Sequence, residues 1–344
     1  MMVSMQRSLT VLGASAVIVL VSMGIRQSFG LLLSPVAVDL GTGRETYSLA
    51  IAIQNLVFGL PIAGLISDQI GARRVAFLGG LIYAAGLYLL GVAESSGMLF
   101  ASLGLLLGVA LSCTSYVVIL GAVAQVAPPN RRTSVFGLIT AAGSFGMFLV
   151  VPFVQALIIR QGWRDAVTTL AVVAIGIALL ALLLPGRRHD MRTTAGAASD
   201  ENAMADVLRS ARSNRNYWLL NIGFFVCGFH VAFIATHFPA YLADNGLPTM
   251  EAATALSMIG LFNIFGSTTF GYLGDRYRKK YLLAGLYFGR AIVITLFLLV
   301  PVTRVSSLLF GAAIGYLWLA TVPLTSGMVA QIFGARYLAT LYGI

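Results

Sequence analysis

Charge is scarce in this sequence of 344 residues. Only 10% of the residues are charged, whereas 58% are hydrophobic, and the mean hydropathy is +0.90. Water-soluble domains carry roughly 25% charged residues. The composition therefore excludes an ordinary soluble domain and favours a chain that lies largely within a membrane.

Cysteine and histidine are also rare. The chain has two cysteines, Cys113 and Cys227, and three histidines, His189, His230 and His237. A disulfide framework or a zinc site needs more of these residues, or a ligand spacing that is absent here. The twelve acidic residues lie between the apolar runs or at their ends, so no catalytic pair of acids is predicted within the membrane. We expect neither an enzyme, nor a metal site, nor a cofactor.

Long apolar runs dominate the chain. A helix needs about 20 apolar residues to cross about 30 Å of hydrocarbon. The first run is too long for the apolar part of a secretory signal. Ten runs are predicted to be membrane helices: 9–38, 46–67, 75–93, 97–126, 133–159, 165–185, 217–243, 252–273, 281–302 and 305–331.

Basic residues are distributed unevenly between the two ends of these runs. With the N-terminus placed in the cytoplasm, sixteen of the 22 basic residues fall on the cytoplasmic side and four fall outside. Arg26 and Arg290 lie within the runs. This bias is the positive-inside rule, and it predicts a multi-pass protein of the inner membrane with a cytoplasmic N-terminus. It also accounts for the net charge of +10 without a nucleic-acid partner.

The chain divides into two halves that repeat one feature. The polar stretch 186–216 predicts a cytoplasmic linker between an N-terminal bundle, 1–185, and a C-terminal bundle, 217–344. A charged turn, "GLISDQIGARR", begins at Gly64, and a related turn, "GYLGDRYRKK", begins 207 residues later at Gly271. Each turn follows the second run of its half. Internal repetition of this kind is typical of transporter folds.

The charged turn resembles the loop between the second and third spans of the major facilitator superfamily. The resemblance implies an all-α membrane protein with two pseudo-symmetric six-helix halves that rock in alternating access. The second half has only four predicted spans and the start of a fifth at "RYLATLYGI", so we expect a truncated form of a twelve-span carrier. In the family this turn is a conformational latch, which here implies Gly64, Asp68, Gly71, Arg73, Arg74, Gly271, Asp275 and Arg276.

Four further stretches resemble the bacterial branch related to monocarboxylate transporters: "GIRQSFGLLLSPVAVDLG", "SLAIAIQNLVFG", "GWRDA" and "CGFHVAFIATHFPAYL". This likeness implies a monomeric carrier in the lipid bilayer whose substrate is a small organic anion, with a proton as a coupling ion. The alternatives are a drug or metabolite efflux carrier, or a truncated relic or sensor that does not transport. The fifth run lacks the Gly-Pro pair common in drug exporters, and the fourth lacks the arginine of many proton-coupled members.

Several polar residues are predicted to lie at membrane depth, where they need partners or a wet cavity. The alternative role for some of these residues is hydrogen bonding between helices without any contact to a substrate. Arg26 is the strongest candidate because no acidic residue lies at its depth, and an unpaired arginine favours an anionic guest such as a carboxylate. The candidate substrate-binding residues are Arg26, Gln54, Asn55, Tyr116, Ser144, His230, His237, Asn263 and Arg290.

Overall fold

The computed structural model describes residues 2–126, 132–186, 209–333 and 341. Within these ranges the chain is helical apart from short turns, and it contains no strand. Nine helices of the described part are long and apolar enough to cross a membrane. The predicted all-α membrane fold is confirmed.

We number the crossings in chain order and use these names throughout. Span one is Met2–Asp39, span two Arg44–Phe58 with Ile62–Ile70, span three Ala72–Gly91, and span four Ser96–Leu99, the π-helical Phe100–Leu106, Leu107–Thr114 and Tyr116–Ala124. Spans five and six share the helical run Arg132–Ala181. Span seven is Arg215–Asp244, span eight Thr249–Arg276, span nine Lys279–Leu299, and span ten Arg304–Leu317 with Thr321–Phe333.

Spans five and six were predicted from the sequence as two separate helices, and the structure agrees, although they follow each other without a loop. The run has 50 residues, and at 1.5 Å per residue this is more than twice the hydrocarbon thickness. Gly162 interrupts it with a φ of 82°, a left-handed conformation that glycine adopts without steric cost. The run is therefore two crossings joined at Gly162, and the count of ten crossings agrees with the ten predicted runs.

Spans four and ten are each interrupted at the same position of their half. Span four breaks at Ser115, between Thr114 and Tyr116, and span ten breaks between Leu317 and Thr321. Thr114 and Thr321 are 207 residues apart, the same offset as the two charged turns. Internal symmetry therefore extends from the turns into the membrane.

Each threonine at a break contacts the first span of its own half. The hydroxyl oxygens of Thr114 and Ser22 are 2.8 Å apart, and the Thr321 hydroxyl oxygen lies 3.1 Å from Cys227 Sγ. These contacts give the polar side chains at the breaks a partner within the membrane, where an unpaired polar group is costly.

The two halves meet along spans one and seven and along spans five and eight. Gly30 lies against the Ala235 carbonyl so closely that an added Cβ would be 2.0 Å from its oxygen. A Cβ on Gly260 would be 2.6 Å from the Ser144 carbonyl oxygen. We call the membrane side that bears the charged turns the turn side. Gly30 and Gly260 lie toward the opposite side, so these contacts between the halves lie in that part of the bundle.

Two sequence predictions concern residues that are not described. Most of the predicted linker, from 187 to 208, lies outside the described residues, so the division into domains stays a prediction. The eleventh span, which the sequence places from about Tyr337, also lies outside them except for Leu341, whose carbonyl accepts a hydrogen bond from the Tyr217 hydroxyl at 2.7 Å.

Candidate binding sites within the membrane

Arg26 lies in span one, and its partly buried side chain packs against span two. One terminal nitrogen, Nη2, donates to the Asn55 side-chain oxygen at 2.8 Å, and the guanidinium lies 4.9 Å from the centre of the Phe58 ring. Its Nε is buried and has no hydrogen-bond partner. Among the described residues, no carboxylate forms an ion pair with Arg26. The guanidinium therefore keeps one donor, Nε, without an acceptor and has no carboxylate partner among the described residues.

A small cavity borders Arg26 at the junction of the two halves. Gln54 and Asn55 line it from span two, and Ala232 and Thr236 line it from span seven. Its volume of about 20 Å³ holds about one water molecule. A cavity of this size is too small for an organic anion.

Three neighbouring residues hold this region in shape. The Gln54 side chain donates to the Leu103 carbonyl of span four at 3.0 Å. The Tyr83 hydroxyl donates to the Ser22 carbonyl at 2.9 Å, and the Tyr116 hydroxyl approaches the Thr140 carbonyl at 3.5 Å. Tyr83 and Tyr116 both lie within electrostatic range of Arg26. Hydroxyl groups, rather than carboxylates, therefore surround the guanidinium.

Arg290 forms the centre of a second group, at the break in span ten. Its Nε and Nη2 donate to the Leu317 carbonyl at 3.0 and 2.7 Å, and Nη2 also donates to the Trp318 carbonyl. These carbonyls end the first helix of span ten, so they have no helical partner. The Arg290 side chain caps that helix.

Asn263 connects the same break to the other half. Its side-chain oxygen accepts from the Leu319 backbone N–H at 2.9 Å, and its side-chain nitrogen donates to the Ser144 hydroxyl at 2.8 Å. Asn263 is 1% exposed, and both of its polar groups are satisfied. It therefore joins span ten, span eight and span five in one hydrogen-bond chain.

The two membrane histidines do not line the cavity beside Arg26. His230 lies within electrostatic range of Arg290, and its Nδ1 is buried without a hydrogen-bond partner. The His237 ring packs against the Phe233 ring with centres 4.8 Å apart. The candidate residues are thus not gathered in one site, and His237 belongs to neither the group at Arg26 nor the group at Arg290.

The charged turns contribute short-range contacts at the turn side. Gly71 adopts a φ of 94° at the junction of spans two and three, which permits the sharp reversal that the sequence predicted. Arg73 Nε donates to the Leu184 carbonyl at 2.7 Å, and the Arg276 guanidinium lies 4.2 Å from the Tyr272 ring centre. Asp275 is exposed.

The remaining residues of the predicted latch complete this description. A Cβ on Gly64 would lie 3.1 Å from Val117 of span four, whereas Gly271 has open space beside it. Arg74 is exposed, and the side chain of Asp68 lies outside the described residues. The latch function of these turns stays a prediction.

Sequence reasoning missed several residues at these sites. Gln27 and Thr236 line the cavity beside Arg26, and Trp318 lies at the span-ten break beside Arg290. Both residues are next in sequence to a predicted site residue, Gln27 to Arg26 and Thr236 to His237, and this proximity was the signal that could have identified them. Trp318 resembles an ordinary apolar membrane residue in the sequence, so only the tertiary structure reveals its place.

Comparison with known proteins supports the fold and its class. The Major Facilitator Superfamily model matches residues 15–344. The chain is 23% identical over 330 residues to an uncharacterized MFS-type transporter, YcxA, of Bacillus subtilis, covering 93% of this chain and 79% of that protein. It is 27% identical over 315 residues to monocarboxylate transporter 12 of Rattus norvegicus, covering 83% of this chain and 64% of that protein. The chain thus spans less than two thirds of the length of this monocarboxylate transporter.

Solved structures show the same fold. A bacterial homolog of the human lysosomal transporter Spinster superposes with a TM-score of 0.73 at 17% identity, covering 97% of this chain and 78% of that one. A D-xylose–proton symporter superposes with a TM-score of 0.67 at 17% identity, covering 98% and 86%. The family is one of membrane transporters and not of enzymes. On the family match across residues 15–344, this chain is a multi-pass membrane protein that belongs to the Major Facilitator Superfamily.

Proposed function

We propose that the protein is a secondary carrier that moves a small organic anion, of monocarboxylate chemistry, across the cytoplasmic membrane by alternating access. The observation that carries this proposal is Arg26, whose Nε is buried and free beside a cavity shared by both halves. A guanidinium binds a carboxylate through two parallel hydrogen bonds, and exclusion of water strengthens the contact. The similarity to rat monocarboxylate transporter 12 supports the same substrate class.

The position of Arg26 suits a carrier because both halves share its cavity. Arg26 and Asn55 belong to the N-terminal half, whereas Ala232 and Thr236 belong to the C-terminal half. An anion bound there contacts both halves, so its binding affects their relative position. We propose that the cavity enlarges when the halves separate, and that the anion enters beside Arg26 in that state.

The orientation in the membrane follows from charge. Basic residues are concentrated in the predicted linker and the charged turns, and by the positive-inside rule this supports a cytoplasmic turn side and a cytoplasmic N-terminus. A proton is the coupling ion that we propose for uphill transport. Its involvement is tested together with the substrate.

The experiment is uptake into proteoliposomes that contain the purified protein. A panel of radiolabelled small carboxylates is tested with and without an inward proton gradient, and a lipophilic cation serves as the drug-like alternative. We expect saturable uptake of a monocarboxylate, increased by the gradient. Uptake of the cation alone would indicate an efflux carrier, and no uptake of any compound would contradict transport.

Variants of Arg26 test the assignment of the anion contact. Losing a hydrogen bond to a charged group costs about 1.5–3 kcal/mol, so Arg26→Ala should raise the KM for uptake at least tenfold. Arg26→Lys keeps the charge but loses the bidentate geometry, and its uptake should be intermediate. Arg160→Ala is the matched control, because it removes the same charge from an exposed position at the end of span five.

A further inference from the structure

The Arg290 side chain is nearly inaccessible, with 1% of its surface exposed, yet its hydrogen bonds are incomplete. Nε and Nη2 donate to the span-ten carbonyls, but the buried Nη1 has no partner. Trp318 Nε1 and Thr325 Oγ1, on span ten, are also buried without a partner. His230 Nδ1 is a fourth such atom, on span seven. Unpaired polar atoms of this kind are rare because each costs about 1–3 kcal/mol.

The pseudo-symmetric position in the other half is occupied by a neutral residue. Tyr83 precedes Arg290 by 207 residues, the offset that relates the charged turns and the two helix breaks. Its hydroxyl donates to the Ser22 carbonyl at 2.9 Å, and the side chain is fully buried. A neutral residue with a satisfied hydrogen bond therefore fills this place in the N-terminal half. The charge of Arg290 needs a separate explanation.

No acidic residue of the described C-terminal half lies at the depth of Arg290. Asp244 and Glu251 are near the loop between spans seven and eight, on the side opposite the turns, and Asp275 lies in the second charged turn. A cation within the membrane is costly unless it has a partner, and the cost is largest when the charge is fully desolvated. An anion supplied from solution would neutralise Arg290 and accept from its free Nη1.

We propose that the break in span ten binds a small monoanion, chloride or a carboxylate, through Arg290 Nη1 with Trp318 Nε1 as a second donor. Both groups are donors without an acceptor of their own, which matches an anion and not a cation. The bound anion would hold Leu317 and Trp318 in the arrangement that interrupts span ten. The site goes beyond the proposed transport function, since it does not include Arg26.

Span seven separates this site from the cavity beside Arg26. Ala232 and Thr236 of span seven line that cavity. Cys227 instead contacts Thr321 of span ten, and His230 lies three residues further, on the same face of the helix. Arg26 and Arg290 thus lie beside opposite faces of span seven. We therefore expect their ligands to bind independently.

The experiment measures anion-dependent thermal unfolding of the purified protein in lipid nanodiscs. Sodium chloride and sodium acetate are titrated separately at constant ionic strength, with isethionate as the bulky balancing anion. A ligand that binds only the folded state raises the unfolding temperature in a saturable way. Saturation by chloride alone identifies an inorganic ion, whereas saturation by acetate that persists in Arg26→Gln identifies a carboxylate site.

Two variants and one control test the assignment. Trp318→Phe removes one donor but keeps the backbone carbonyl that Arg290 caps, and it should raise the apparent Kd about tenfold. Arg26→Gln removes the proposed substrate contact and should keep a saturable rise with at least one of the two anions. In that background, Arg290→Gln should abolish the rise. If Arg290→Gln does not fold, the Trp318→Phe titration alone tests whether the anion binds at this site.

Three results would overturn this site. They are the absence of a saturable rise in the wild type, an unaltered rise in Trp318→Phe, and loss of the rise with both anions in Arg26→Gln. A failed transport assay with an intact rise would leave the site standing and count only against the proposed function.

Discussion

Arg44 and Asp244 form an ion pair between the two halves on the side opposite the turns. Arg44 begins span two, and Asp244 ends span seven. The two side chains make a bidentate contact, with Nη2 donating to Oδ1 at 2.8 Å and Nη1 to Oδ2. Rocking of the halves that opens this side must break the pair. We therefore expect the pair to stabilise the state closed on this side.

The exposure of the two side chains sets the strength of the ion pair. The side chains are 50% and 48% exposed, so solvent screens the attraction and the expected coupling is about 0.2–1 kcal/mol. A tenfold change in an equilibrium corresponds to about 1.36 kcal/mol. Breaking the pair should therefore increase the ratio of the open to the closed state about 1.4- to 5-fold, toward the upper end because the contact is bidentate.

Distance measurements between spin labels report this ratio. In a background of Cys113→Ser and Cys227→Ser, labels at Glu94→Cys and Val305→Cys place one probe on each half at the same membrane side. A double-mutant cycle of Arg44→Ala and Asp244→Ala gives the coupling free energy from the two distance populations. The charge-exchanged double variant, Arg44→Asp with Asp244→Arg, should return toward the wild-type distribution.

Arg164 and Asp39 supply the matched control. They form a pair of similar exposure, with Nη2 and Oδ2 2.7 Å apart and side chains 37% and 43% exposed, but both belong to the N-terminal half. Arg164→Ala should leave the distance populations unchanged. Zero coupling between Arg44 and Asp244, or an equal effect of Arg164→Ala, would refute the reasoning.

Two further predictions concern close contacts between helices. Gly30→Ala places a Cβ 2.0 Å from the Ala235 carbonyl oxygen, so it should lower both the unfolding temperature and the transport rate. Gly13 has open space beside it, and the control variant Gly13→Ala should change neither quantity. Equal values for the two variants would contradict this prediction. Asn263→Leu leaves the partly buried Leu319 N–H without its acceptor and removes the hydrogen bond to Ser144, and it should lower the free energy of unfolding by about 1–3 kcal/mol. Thermal unfolding measures it, and an unchanged unfolding temperature would show that the hydrogen bond is dispensable.

The crossings were predictable from sequence because hydrophobic length alone determines them. The breaks in spans four and ten were not, because neither break carries a glycine or proline at its centre. The break at Ser115 depends on contacts such as Thr114 with Ser22. The one in span ten depends on Arg290, which lies on another helix.

The candidate residues were predictable in type but not in grouping. Depth in the membrane can be read from position along a run, and it singled out Arg26 and Arg290. The face that each helix presents to its neighbours depends on packing, which sequence periodicity reads poorly when a helix is apolar all round. For this reason the sequence could not separate the cavity beside Arg26 from the group at the span-ten break.

The most direct test of the account is equilibrium binding of a radiolabelled monocarboxylate to the purified protein, compared between wild type and Arg26→Lys. Binding without transport isolates the anion contact from the movement of the halves. We predict saturable binding to the wild type and a lower affinity in Arg26→Lys, between those of the wild type and Arg26→Ala, because the lysine keeps the charge but cannot form the bidentate contact. Equal affinity in the two proteins would contradict the assignment of Arg26 as the anion contact.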